Sequence, residues 1–136
     1  LFIAHSGGGK STIAKLALKQ GFRVLNDDRI VIRKEKESFK IYGTPWHGEV
    51  EKTLNNPSFI KEVFFLKKAK VNKIRPISKR EALLEFLENN LCIPINKEIK
   101  KKRFEICFDV TERLKCYWLY FRRDRSIWRF LDELAK

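Results

Sequence analysis

With 136 residues, 43% of them hydrophobic and 12% aromatic, the chain suits a single soluble domain with a real core. No apolar run approaches the roughly 18 to 20 residues of a membrane span, and no signal-peptide pattern stands at the N-terminus, so nothing addresses the chain out of the cytoplasm. Thirty Lys and Arg against 17 Asp and Glu leave a formal net charge of +13, which points to anionic partners (nucleotide, acidic peptide, nucleic acid or membrane headgroups), while a solvated surface is the plainer reading of the same excess.

Leu1-Phe2-Ile3-Ala4 is a continuous apolar run, the pattern of a short strand buried on both faces. The chain holds no Met and begins inside this strand, so residues 1–136 read as one domain forming the C-terminal part of a longer chain. Glycines follow, and then Ile13, Ala14, Leu16, Ala17 and Leu18 fall at helical spacing up to Gln20, with Gly21 placed as a C-terminal cap. Phe22 to Leu25 reads as a second strand ending in Asn26-Asp27-Asp28. Ile30 to Ile32 and Phe39 to Tyr42 form a hairpin around the charged turn Lys34 to Ser38.

Gly43-Thr44-Pro45-Trp46-His47-Gly48-Glu49 is punctuated as a loop, and Val63 to Leu66 reads as a buried strand followed by the basic Lys67-Lys68-Ala69-Lys70. Ser78 with Glu81 predicts a capping box for a helix that ends at Asn89-Asn90. Between Lys97 and Lys115 two periods compete. Phe104, Ile106, Phe108 and Val110 alternate as in a strand, whereas Phe104, Cys107, Phe108, Thr111 and Leu114 share a helical face, and the helix is the preferred reading. Cys116 to Phe121 is strand-like, and Ser126 opens a closing helix that buries Ile127, Trp128, Phe130, Leu131 and Leu134. Cys92, Cys107 and Cys116 lack C-x-x-C pairing and read as reduced structural thiols.

Ala4-His5-Ser6-Gly7-Gly8-Gly9-Lys10-Ser11 satisfies the Walker A pattern, [A/G]-x-x-x-x-G-K-[S/T]. Three residues without Cβ let the backbone curl until successive N–H groups converge on phosphate oxygens, and the following helix adds its positive N-terminal end. In that arrangement Ser6 to Thr12 hold the nucleotide, Lys10 reaches the β and γ phosphates, Ser11 offers its hydroxyl to magnesium, and His5 is a spacer. Asp27 and Asp28 are the candidate carboxylates, one to hold magnesium and one to act as general base, although consecutive strand residues point to opposite faces. The plainer reading is that Asn-Asp-Asp only makes a turn.

The run Ala-His-Ser-Gly-Gly-Gly-Lys-Ser-Thr, with the short helix and Phe-Arg-Val-Leu-Asn-Asp-Asp-Arg after it, resembles HPr kinase/phosphorylase and its wider set of kinase-like relatives. Gly43 to Glu49, Phe64 to Ala69 and Cys116 to Phe121 resemble later landmarks of the relatives associated with peptide maturation. The resemblance implies an α/β P-loop fold shared with phosphoenolpyruvate carboxykinase, a mixed sheet with flanking helices. It also implies an ATP- and Mg2+-dependent transfer of phosphate to a serine of a protein or peptide. Gly7, Gly8, Gly9, Lys10 and Ser11 would bind nucleotide and metal, and Asp27 and Asp28 would divide base and metal roles, which of them takes which being left open. The segment that recognises HPr has no clear counterpart, so HPr is not carried over as substrate.

Trp46, His47 and Glu49 form a candidate substrate loop, with Trp46 equally readable as an apolar anchor. Arg75 is a candidate to steady transferring phosphoryl charge, although a solvent-facing arginine is the plainer reading. Three alternatives stay open: a carboxykinase-like or regulatory nucleotide-binding module without kinase activity, a degenerate inactive fragment, and a nucleic-acid binder using Lys97 to Arg103 and Arg122 to Arg125. For both basic clusters a solvated face is the better reading. The acceptor, the choice of ATP or GTP and any homo-oligomeric state are left open by the sequence.

Overall fold

A computed structural model describes residues 1–51, 54, 56–90 and 96–134. In chain order the elements are β1 (Phe2–Ile3), α1 (Lys10–Lys19), β2 (Ile30–Glu35), β3 (Ser38–Gly43), β4 (Ser58–Phe59), β5 (Glu62–Lys68), β6 (Lys73–Pro76), α2 (Lys79–Glu88), α3 (Lys97–Arg113), β7 (Lys115–Phe121) and α4 (Ser126–Leu134). The result is a mixed α/β fold. One sheet has the order β1-β5-β7-β6, parallel from β1 to β7 and antiparallel at β6, and a second, antiparallel sheet has the order β2-β3-β4.

Alternation along β5 sends Val63 and Phe65 to one face and Leu66 to the other, and both faces are covered. The first core joins Val63 and Phe65 to Ala82 and Phe86 of α2, Cys107 and Val110 of α3, Trp118 of β7, Phe39 of β3 in the second sheet and Ile60 just after β4. On the opposite face Leu66 meets Leu119, Phe121, Ala4, Ile13 of α1 and Ile127 of α4. Covering on both sides is why Val63 to Leu66 is uninterruptedly apolar. β1 pairs with β5 at Phe2↔Phe64 and Ile3↔Phe65 and stands at the sheet edge, so these two residues are half-buried rather than enclosed.

α1 stops where Gly21 takes φ 80°, with Phe22 N donating to Ala17 O and Gly21 N to Leu18 O, each at 3.0 Å, the paired bonds of a glycine-terminated helix. Phe22 to Leu25 is not a strand. It follows this tight stop as irregular chain, Phe22 is 44% exposed, and the main-chain bond formed by Leu25 O comes from Leu54 N. A strand needs a ladder, and apolar composition does not supply a neighbour.

Three other expectations change in detail. Ser78 Oγ caps α2 by accepting from Glu81 N at 3.2 Å, yet the Glu81 carboxylate accepts from Trp118 Nε1 at 2.9 Å, so the reciprocal half of the capping box gives way to a tertiary bond. The helix between Lys97 and Arg113 forms, and Cys107, Val110 and Thr111 face the core; Phe104 and Phe108 stand outside it, stacked on each other with ring centroids 6.1 Å apart. In α4 Ile127 is fully buried, Trp128, Phe130 and Leu131 are half-buried, and Leu134 is 52% exposed. Cys107 and Cys116 are free thiols, and burial raises both, Cys116 to about 11. Cys92 lies outside the described residues. Among the described residues no helix is long and apolar enough to cross a membrane.

Candidate functional site

The segment from Ala4 to Gly9 turns sharply between β1 and α1. Gly8 N donates back to His5 O at 3.0 Å, and a Cβ on Gly8 would lie 2.5 Å from that of Ala4. Gly9 has φ 110° and presses on Phe121 of β7, whose ring would lie 2.6 Å from an added Cβ. Both positions therefore demand glycine, one for the close turn and one for handedness and packing. Ile13 N donating to Gly9 O opens α1, and no side chain caps the helix. Its first-turn amides are left for whatever occupies the space in front of them.

Lys10 folds over this loop, donating to Ala4 O at 2.6 Å and His5 O at 3.2 Å. Both acceptors are neutral carbonyls, and Lys10 has no carboxylate partner among the described residues.

The turn after Leu25 is organised by Asn26. Its Oδ1 accepts from Asp28 N at 2.7 Å and Arg29 N at 3.0 Å, while its Nδ2 donates to Thr44 O and Trp46 O at 3.0 and 2.8 Å. Asn26 thus makes the turn expected of Asn-Asp-Asp and fastens it to the loop from Thr44 to Val50. The two aspartates then diverge. Asp27 is buried: its Oδ1 accepts from Gly48 N at 2.9 Å, and its Oδ2 from Glu49 N at 2.9 Å and Val50 N at 3.2 Å. A Cβ on Gly48 would come within 2.9 Å of this carboxylate, so glycine lets the amides wrap it.

Burial pushes the Asp27 carboxyl up, but the Ser11 hydroxyl and the three amides outweigh it, and the group titrates below the ordinary aspartate value. Asp28 is exposed, with Arg29 Nε 3.5 Å from its Oδ2.

A depressed folded-state carboxyl stabilises the fold above the unfolded aspartate value and stops doing so as pH falls through the folded value. Acid titration of the wild type between about pH 5 and about pH 2 is therefore expected to show a loss of stability that Asp27→Asn lacks. Melting temperatures of the two proteins across that range check it; parallel curves would show that the ring of amides does not hold a charged group.

Between the loop and the acids lies a cleft of about 360 Å³. Ser6, Gly7, Gly9, Lys10, Ser11 and Thr12 form one wall, and Asp27, Asp28, Gly48 and Glu49 the other. Gly8 shapes the turn without lining the cleft. Glu49 ion-pairs with Lys15 of α1, which ties the second wall to the helix. Trp46 and His47 do not line it. Trp46 is 62% exposed, so it is no apolar anchor, and its loop is held by its carbonyl instead. His47 is exposed, with Nδ1 3.1 Å from Gly48 O. Arg75 sits on β6, the edge strand farthest from β1, 3.7 Å from Glu81 and outside the cleft.

One lining residue was not anticipated. Lys68 ends β5 and faces the cleft, while Lys67 points to the other side of the sheet with its ammonium 3.9 Å from the centre of the Trp118 ring. The sequence showed only a basic run; the pairing of β5 beside β1 is what brings Lys68 to the glycine loop. With Lys10 it offsets the negative lining, since Glu49 is already matched by Lys15.

Among the described residues no group of three or more His, Cys, Asp or Glu could hold a metal ion by itself. The donors present are the Ser11 hydroxyl and the carboxylates of Asp27 and Asp28, a set that suits magnesium, which is typically held by one or two carboxylates together with substrate phosphates. The chain matches no family model, no curated protein and no solved structure.

Proposed function

We propose that the protein is an ATP- and Mg2+-dependent serine kinase with a P-loop fold of the type shared by HPr kinase/phosphorylase and phosphoenolpyruvate carboxykinase. One observation carries the reading: an uncapped helix N-terminus, a lysine paired only with neutral carbonyls and two aspartates from a distant turn share one cleft. A polyphosphate carrying a divalent cation would meet main-chain amides and Lys10 on one wall and the carboxylates that favour the cation on the other. Inorganic phosphate or a free carboxylate would need only the first of these.

The chemistry divides among the residues as follows. Amides of Ser6 to Thr12 and the Lys10 ammonium bind and orient the phosphates, neutralising charge that develops during transfer. Ser11 and one of the two aspartates would hold magnesium, which would supply further charge neutralisation. Asp27 accepts three main-chain amides, and with the Ser11 hydroxyl these hold its carboxyl below the ordinary aspartate value, so it is a weak base. Asp28 carries no such ring, is open to solvent at the cleft, and is the base that takes the proton from an incoming serine hydroxyl.

The test is transfer of labelled phosphate from ATP to serine-containing peptides. Acceptor-dependent consumption of nucleotide supports the kinase. Equal consumption with and without acceptor leaves a nucleotide-binding module that does not transfer to serine. The nucleic-acid reading draws little from α3, where Lys102 pairs with Glu98 at 3.0 Å and Lys101 with Glu105 at 3.8 Å, as on a solvated helical face.

A further inference from the structure

The cleft is continuous with a second feature that the nucleotide does not need. β5 and β7 end side by side at Lys68↔Phe121, and the turns that leave them are fastened together. Ala69 N donates to Phe121 O at 3.0 Å, Arg122 N to Asn72 Oδ1 at 2.8 Å, and Asn72 Nδ2 to Ser126 Oγ at 2.8 Å. Asn72 thus clamps the turn after β5 to the turn before α4. The ring of Phe121, the last residue of β7, packs against Gly9 of the phosphate loop.

The resulting shelf carries Lys68, Lys70, Arg122, Arg123 and Arg125, all exposed, against the single acid Asp124. Asp124 is already engaged: it pairs with Arg122 at 2.9 Å and accepts from Ser126 N at 2.9 Å at the start of α4. Lys68, Lys70, Arg123 and Arg125 have no ion-pair partner among the described residues. Like charges carried on two turns that are fastened together repel one another, which an anionic partner would relieve.

Resting on the kinase reading, we infer that this shelf receives the acceptor, and that the acceptor is an acidic peptide segment whose carboxylates flank the serine delivered to Asp28. A nucleic acid fits less well. The neutral residues in the first turn are Ala69, Val71 and Asn72, with no aromatic ring for a base to stack on.

The test is fluorescence anisotropy with a labelled serine peptide flanked by glutamates, its glutamine counterpart, and a single-stranded RNA of matched charge. Two charge-matched variants are compared, Arg123→Glu with Arg125→Glu on the shelf and Lys100→Glu with Lys101→Glu on α3. Expected are binding of the glutamate peptide at least about tenfold tighter than its glutamine counterpart, a loss of at least about tenfold in the shelf variant, and a loss under about threefold in the α3 variant. MgATP is titrated in parallel and binds both variants as it binds the wild type. Equal losses in the two variants, equal binding of the two peptides, or tighter binding of the RNA would overturn the inference while retained MgATP binding leaves the kinase reading standing. Failure of the wild type to bind MgATP, with peptide discrimination intact, would instead remove the kinase reading and keep the shelf.

Discussion

Lys10→Ala is expected to weaken MgATP binding by about a hundredfold or more without unfolding the protein, because it removes a charge-assisted donor at the point where phosphate charge is greatest. The fold has little at stake in this side chain. Its partners, Ala4 O and His5 O, are carbonyls of a loop that stays closed through the separate bond from Gly8 N to His5 O. Position 10 is the first residue of α1, and alanine is at least as good a helix former as lysine. Calorimetric titration reads the affinity, and a thermal melt with and without nucleotide supplies the control: the wild type gains stability by mass action and the variant does not. Equal affinity in the two proteins would mean that the ammonium is a loop clasp and nothing more.

Asp28→Asn is expected to lower kcat by about two to four orders of magnitude while leaving MgATP affinity within a few-fold of wild type, the range that a positioned general base contributes. The substitution keeps the shape of the side chain and removes its basicity. It disturbs little else, since Asp28 is exposed and the turn is set by Asn26 through Asp28 N and Arg29 N. Single-turnover measurements with a serine peptide separate this loss from a change in binding. Undiminished turnover would move the base elsewhere, and Asp27 is a poor substitute because its two oxygens already accept three amides.

Local chemistry was legible from the sequence and long-range pairing was not. The glycine loop could be read because each glycine answers a local demand, and the stop of α1 at Gly21 because its left-handed conformation is a property of one residue. The hairpin of β2 and β3 was legible for the same reason: its turn, with Lys36 at φ 54°, joins strands adjacent in sequence. Phe22 to Leu25 misled because an apolar run does not reveal whether a neighbouring strand exists. Glu81 misled because Trp118 competes for its carboxylate from 37 residues away.

At the cleft, the sequence drew attention to Asp27 and Asp28 together but did not show their different surroundings. What separates them is the set of amides from Gly48 to Val50, which reach Asp27 only through the tertiary course of that loop. Lys68 was invisible as a site residue for a similar reason, since its place depends on which strand lies next to β1. On α3 the helical period was correct and the face was right in part, since Cys107 and Thr111 are buried. Phe104 and Phe108 were expected beside them and stand outside, while Val110 joins the buried stripe.

The central claim is that main-chain amides between β1 and α1 form a phosphate nest, and amide chemical shifts of the isotopically labelled protein titrated with MgATP test it most directly. The account predicts the largest shifts at Gly7, Gly9, Lys10, Ser11 and Thr12, with smaller ones at Asp28 and Lys68. Spectra unchanged at saturating nucleotide, or shifts confined to the basic stretch of α3, would contradict it.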